Sequence, residues 1–329
     1  MEKNNRINQI SWINALAIIL VVIGHADMTP AYDQLWIKRW IYSFHMPLFV
    51  FVSGFLFCYT TSRIADISVS RFLKKKVKRL LLPFVVINTL IFFIKNFFSS
   101  NDYVQHPVEL TWKSFFDSTL FYPIGFMWFL PTLFMIFVLF VFIARLIGFT
   151  NDRTWWWLGI AGGVWGIAQC MPHIQFLQMF NAISYSVYFI VGIIYAIWKK
   201  TIDYWLMKYK WIGLSVFSAC SFSLLLPSVI AALIGIVWVL SLSLLVSEKV
   251  QNKFMAVSNY SFTIYLLSYF PQMLIRGPIY HHFEWINEYV FSVLSILLGV
   301  FVPIGIGRVY SHIKDVNKLT KFLGNIIGL

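Results

Sequence analysis

Two histidines are set into strongly apolar sequence near the N-terminus. His25 closes one apolar run at Ile23-Gly24-His25, and His45 opens the next, in Tyr42-Ser43-Phe44-His45-Met46-Pro47-Leu48-Phe49. Ionisable groups at membrane depth are costly, which makes them default candidates for function. The chemistry that suits them is acyl transfer. An imidazole titrates near about 6.5 when unperturbed, so it can take a proton from an attacking nucleophile and later return it to a leaving group. The plain alternative for His25 is an interfacial side chain snorkelling to the surface. His45 reads equally as a second acid/base group, a polar contact to the acceptor, or a cap on its helix with Pro47 in the first turn.

The elements that must position these residues are membrane-spanning helices. The chain is 59% hydrophobic, 19% aromatic and only 12% charged, with a mean hydropathy of +0.74. Soluble domains are typically about 45–50% apolar and about a quarter charged. An all-α integral membrane protein is therefore expected. A spanning helix needs about 20 mostly apolar residues. Ten segments qualify, near 8–27, 42–62, 80–98, 126–148, 154–171, 178–198, 211–226, 228–246, 259–277 and 289–309. Pro227 separates the seventh from the eighth, as a tight hairpin or a kink. The chain reads as one membrane-embedded domain over 1–329, without internal repeats, and its first apolar segment as a retained helix rather than a cleaved signal.

Loop charge predicts the orientation. Lys3 and Arg6 precede the first span, and the second-to-third loop holds Arg63, Arg71, Lys74, Lys75, Lys76, Lys78 and Arg79 against Asp66. Arg153, Lys199, Lys200, Lys208, Lys210, Lys249, Lys253, Lys314, Lys318 and Lys321 fall on the same side. The alternate loops hold Asp27, Asp33, Asp102, Glu109, Asp117, Glu284 and Glu288, with Lys38, Arg39 and Lys113 as their main cations. Positive charge gathers in short cytoplasmic loops. Both termini are thus expected in the cytoplasm, with His25, His45 and the tripeptide Trp128-Phe129-Leu130 toward the outer half of the membrane. The net charge of +13 belongs to this pattern and is no sign of nucleic-acid binding. Cys58, Cys170 and Cys220 each lie in a separate apolar stretch and read as small hydrophobes.

Five blocks in order carry a resemblance. They are Ile10 through His25; Phe44-His45-Met46-Pro47-Leu48-Phe49 with Ser53-Gly54-Phe55; Arg79-Leu80-Leu81-Leu82-Pro83-Phe84; Met127-Trp128-Phe129-Leu130-Pro131; and Ser261 through Ser268. Together they resemble acyltransferase family 3, multi-pass membrane enzymes that acylate sugars and other hydroxylated acceptors. The histidine block is similar to the fucose 4-O-acetylase branch. The resemblance implies His25 as the catalytic residue, acetyl-CoA as co-substrate with no bound cofactor, and a cell-surface saccharide or its lipid-linked precursor as acceptor.

Two positions depart from the family. Many members carry Arg or Lys eleven residues before the histidine, where this chain has Asn14, and an acidic residue three positions earlier, where it has Ser11. Asn14 can serve a donor phosphate only as a neutral hydrogen-bond partner. Trp128 can stack on a sugar ring or pantetheine, or donate its indole N–H to an oxyanion; an interfacial belt tryptophan is the plain reading. Arg79 is the favoured contact for CoA phosphates, while its neighbouring lysines read as topology signal and lipid attraction. Arg276 sits near a helix end, where snorkelling suffices. His281 and His282 beside Glu284 are not expected to share a metal, because adjacent histidines point apart on regular structure. No GxSxG elbow, HExxH pair, P-loop or dinucleotide fingerprint is present.

The expected protein is a multi-pass O-acetyltransferase of the cell (inner or plasma) membrane. His25 is its general base, His45 a second catalytic candidate, and Asn14, Trp128 and Arg79 its substrate contacts. The alternatives are a glycolipid or solute transporter or flippase, and a degenerate family member kept as scaffold.

Overall fold

The computed structural model describes residues 8–26, 35–61, 68–100, 104, 106–223, 226–283, 285–313 and 317–328. Lys3, Arg6, Asp27, Asp33, Arg63, Asp66, Asp102, Glu284 and Lys314, used above for orientation or as metal candidates, lie outside them. All regular structure in the described residues is helical. In chain order the helices are α1 (Asn8–Gly24), α2 (Trp36–Thr60), α3 (Val69–Phe97), α4 (Trp112–Leu120), α5 (Gly125–Ile147), α6 (Thr154–Cys170), α7 (Phe176–Lys208), α8 (Lys210–Ser223), α9 (Ser228–Leu245), α10 (Glu248–Lys253), α11 (Met255–Asn259), α12 (Ser261–Leu267), α13 (Tyr269–Leu274), α14 (Glu288–Ile313) and α15 (Lys318–Ile326).

Among the described residues, α2, α3, α5, α7, α9 and α14 are long and apolar enough to cross a membrane, and α1 is a shorter apolar helix. The segments expected at 154–171 and 211–226 form α6 and α8, of 17 and 14 residues. The segment expected at 259–277 is broken into α12, α13 and a π-helical turn at Ile275–Ile279. Gly277-Pro278 accounts for that turn: proline donates no backbone hydrogen bond, so the regular i→i−4 ladder cannot pass through it.

The chain divides into two compact units: 1–53 with 198–310, and 54–197 with 311–329. In the first, α1 packs against α9, α10, α11 and α12. Twelve of its 17 residues are buried, as expected for a helix apolar all round. Its few polar groups find partners. Gln9 Nε2 donates to Ser243 Oγ (3.0 Å) on α9, and Lys199 Nζ donates to Gln9 Oε1 while pairing with Asp203. Asn14 Nδ2 donates to Ser261 Oγ (2.8 Å), and Gln272 Nε2 to the Val22 carbonyl (2.8 Å). Asn14 is therefore level with the start of α12 and Val22 with α13, so α1 runs parallel to both. Two glycines admit close neighbours: a Cβ on Gly235 would lie 2.5 Å from the Phe44 ring, and one on Gly299 2.8 Å from Val22.

In the second unit, α2 and α7 touch backbone to backbone, since a Cβ on Gly54 would fall 2.0 Å from the Phe189 carbonyl oxygen. Phe57, Phe72, Phe137, Phe149 and Phe189 form an aromatic cluster beside this contact. Fully buried Asn88 ties two later segments to α3: its Nδ2 donates to the Ser118 carbonyl (2.9 Å) and its Oδ1 accepts from Ile124 N–H (3.0 Å).

Candidate active site

His25 follows the last turn of α1. Its backbone N–H is shared between the Val21 and Val22 carbonyls at 3.2 and 3.3 Å, the bifurcated pattern common at helix ends. Its imidazole is half-buried and meets the Tyr42 ring edge-on, with centroids 6.0 Å apart. Tyr42 Oη lies 3.4 Å from His25 Nδ1 and donates to the Gly24 carbonyl at 3.1 Å. On its other side the Tyr42 ring packs against the His45 imidazole, centroids 4.9 Å apart. The two histidines are thus brought together around one tyrosine, less than one helical turn from His45 on α2.

His45 is buried, and its Nδ1 is 2.9 Å from the Ile41 carbonyl oxygen, one turn back on its own helix. A carbonyl only accepts, so Nδ1 carries the hydrogen and Nε2 a lone pair. The capping reading does not hold. α2 begins at Trp36, placing His45 and Pro47 inside the helix. The early start is stabilised by aromatic packing: Trp36 stacks on Trp40, and Trp40 meets Trp238 edge-on at 5.4 Å.

Two cations lie near His25. Lys38 Nζ lies 5.4 Å from the Tyr42 ring centroid, and Lys38 and Arg276 are close enough to act electrostatically on His25. The helix register agrees for Arg276, which lies one turn beyond Gln272 as His25 lies nearly one turn beyond Val22. Arg276 is therefore a neighbour of the candidate base and not simply a snorkelling helix-end cation. Only the parallel pairing of α1 with α12 and α13 reveals this.

Asn14 lies eleven residues below His25 on the same helix, about 16 Å along it. Its amide links α1 to Ser261 and, at 3.5 Å, to the Ser258 carbonyl. Trp128 and Arg79 belong to the other unit. Trp128 ends the 3-10 turn Gly125–Trp128 that opens α5; it is half-buried and packs against Tyr185 (5.5 Å) and Phe129 (6.1 Å). Arg79 is exposed within the π-helical turn Val77–Leu81 of α3. On the same helix Lys74 and Lys78 flank an open, largely apolar surface formed with Val69, Ser70, Leu73, Val77 and Leu82.

Comparison with known proteins bears on this arrangement. The acyltransferase family 3 model, described as an acyltransferase domain, matches residues 7–307. The chain is 27% identical over 232 residues to Nodulation protein NolL of Mesorhizobium japonicum, covering 67% of this chain and 56% of that protein. It is 35% identical over 86 residues to Nodulation protein NolL of Sinorhizobium fredii, covering 24% of this chain and 23% of that protein. It therefore spans about half the length of the first relative and less of the second. No solved structure matches. With nearly all of its length matched, and with its helix-terminal histidine inside the matched region, the chain belongs to acyltransferase family 3.

Proposed function

We propose that this chain is a membrane O-acetyltransferase that moves acetyl from acetyl-CoA to a hydroxyl of a cell-surface saccharide or its lipid-linked precursor. The observation that carries this reading is the family match over 7–307 together with the imidazole pair gathered on Tyr42. His25 is the general base. As the acceptor oxygen bonds to the thioester carbon, the hydroxyl proton passes to the imidazole. Collapse of the tetrahedral intermediate then breaks the C–S bond, and the imidazolium returns the proton to the CoA sulfur. The oxyanion formed between these steps is favoured by the positive fields of Lys38 and Arg276. His45 is a second candidate for acid/base or acceptor contact.

The donor is proposed to dock from the cytoplasmic side. Arg79, Lys74 and Lys78 supply cations for its phosphates, and the open apolar surface of α3 beside the two lysines suits its pantetheine arm. Asn14 is proposed as a neutral donor contact, and Trp128 as a stacking platform for a sugar ring or pantetheine. We place both termini in the cytoplasm, count ten spans, and treat 1–329 as one domain of the plasma membrane. The cation distribution supports the orientation, and the six long apolar helices among the described residues support a multi-pass membrane protein.

The test is transfer of labelled acetyl from acetyl-CoA into saccharide by membranes containing wild-type or His25→Ala protein at matched levels. Loss of a general base costs about 10²–10⁴-fold, so label should appear with the wild type and all but vanish with the variant. Equal incorporation would remove His25 from the mechanism. No incorporation by either, with native acceptor present, would favour the transporter or scaffold alternatives.

A further inference from the structure

Tyr42 stands between the two histidines and has no role in the chemistry described so far. A tyrosine hydroxyl has one proton and lone pairs on the same oxygen, whereas a backbone carbonyl only accepts. Tyr42 Oη is 3.1 Å from the Gly24 oxygen, so its proton points there. What it offers His25 Nδ1, 3.4 Å away, is a lone pair. Two acceptors facing each other repel, so Nδ1 must carry a hydrogen. We propose that Tyr42 is a positioning residue that holds His25 in its Nδ1–H tautomer and thereby presents Nε2 as the base.

The surroundings are built for this contact. Gly24 has no side chain, and a Cβ there would lie 2.9 Å from Tyr42 Cε2; its absence lets the ring reach the end of α1. The His45 imidazole supports the ring at 4.9 Å, and Lys38 Nζ lies over it at 5.4 Å. Which nitrogen of a histidine is protonated is set by the hydrogen bond its other nitrogen makes. The contact is long for N–H···O but will shorten when it matters. Once Nε2 takes the acceptor proton, Nδ1–H belongs to a cation, and charge-assisted hydrogen bonds are shorter and stronger. The Tyr42 proton stays on its own oxygen throughout, directed at Gly24.

The tautomer proposal rests on the two contacts of the Tyr42 hydroxyl; its catalytic use rests on the acyltransferase reading. The test is NMR of the full chain in lipid nanodiscs with ring-¹⁵N histidine, the His25 signals being assigned by their loss in His25→Gln. Wild type should show Nδ1 protonated and Nε2 bare. Tyr42→Phe, which removes one hydroxyl and keeps the ring, should move His25 toward the Nε2–H form. Gly24→Ala, which displaces the ring and keeps the hydroxyl, should do the same. In the acetyl-transfer assay both should lower kcat by about 10-fold or more, a fraction of what general-base catalysis contributes, with KM for acetyl-CoA unchanged. An Nε2–H wild type, or an unchanged Nδ1–H signature in Tyr42→Phe, would overturn the proposal even in an active enzyme. A Tyr42-dependent tautomer in a protein with no acyl transfer would instead sink the acyltransferase reading and uphold the tyrosine's hold on His25.

Discussion

Asn14 occupies the position where many family members carry a cation, and its amide reaches Ser261 Oγ at 2.8 Å. That bond joins α1 to α12, and hydrogen bonds between membrane helices are worth about 0.6–2 kcal/mol. Asn14→Ala should therefore destabilise the protein by about 1 kcal/mol in a reversible unfolding titration in bicelles. If the amide also touches the donor, KM for acetyl-CoA will rise while kcat stays near wild type. Loss of stability with unchanged KM would restrict Asn14 to the helix contact. The same reasoning separates the histidines. His45 Nδ1 is held by the Ile41 carbonyl on its own helix, whereas His25 is held by a side chain from another helix, so only His25 should respond to Tyr42→Phe.

Between elements, what matters is how closely the backbones approach and which buried polar groups cross the gap. A Cβ at Gly54 would sit 2.0 Å from the Phe189 carbonyl oxygen, and a backbone atom cannot swing away as a side-chain end can. Gly54→Ala should cost about 1–3 kcal/mol, the usual range for overpacking, seen as reduced yield of folded protein in mild detergent. Asn88→Ala has the opposite defect. It strands the Ser118 carbonyl and the Ile124 N–H, each unsatisfied buried group costing about 1–3 kcal/mol. Hydrogen exchange should rise over 118–128, the stretch leading into Trp128, while α2 remains protected.

For the molecule as a whole, the proposed ten-span topology makes a chemical prediction at Cys170. This exposed cysteine ends α6, which begins just after Arg153. If α6 crosses the membrane from the cytoplasmic side, Cys170 emerges on the outer face. With Cys58 and Cys220 replaced by serine, a membrane-impermeant maleimide should label Cys170 in intact spheroplasts. A single cysteine introduced at Lys75, in a background where Cys170 too is serine, should be labelled only after permeabilisation. Labelling of Cys170 only after permeabilisation would remove the fifth crossing and change the side assigned to everything after it.

Composition alone determined that this is a helical membrane protein, because transfer into lipid depends on the summed apolarity of consecutive residues and needs no knowledge of packing. The ordered motifs were enough for the family, since each is a run of adjacent residues. The start of α2 was not legible. Lys38 and Arg39 interrupt the apolar run, and the helix extends through them because Trp36, Trp40 and Trp238 pack together across the fold. The break in 259–277 was signalled by Pro271 and by Gly277-Pro278. Tyr42 was visible as a letter beside a histidine motif, but its function requires the end of α1 to meet α2 at a glycine with no side chain. The position of Arg276 near His25 likewise depends on the parallel register of α1 and α13. Such contacts join residues tens to hundreds of positions apart, and nothing in local sequence encodes which helix lies beside which; the tertiary packing decides it.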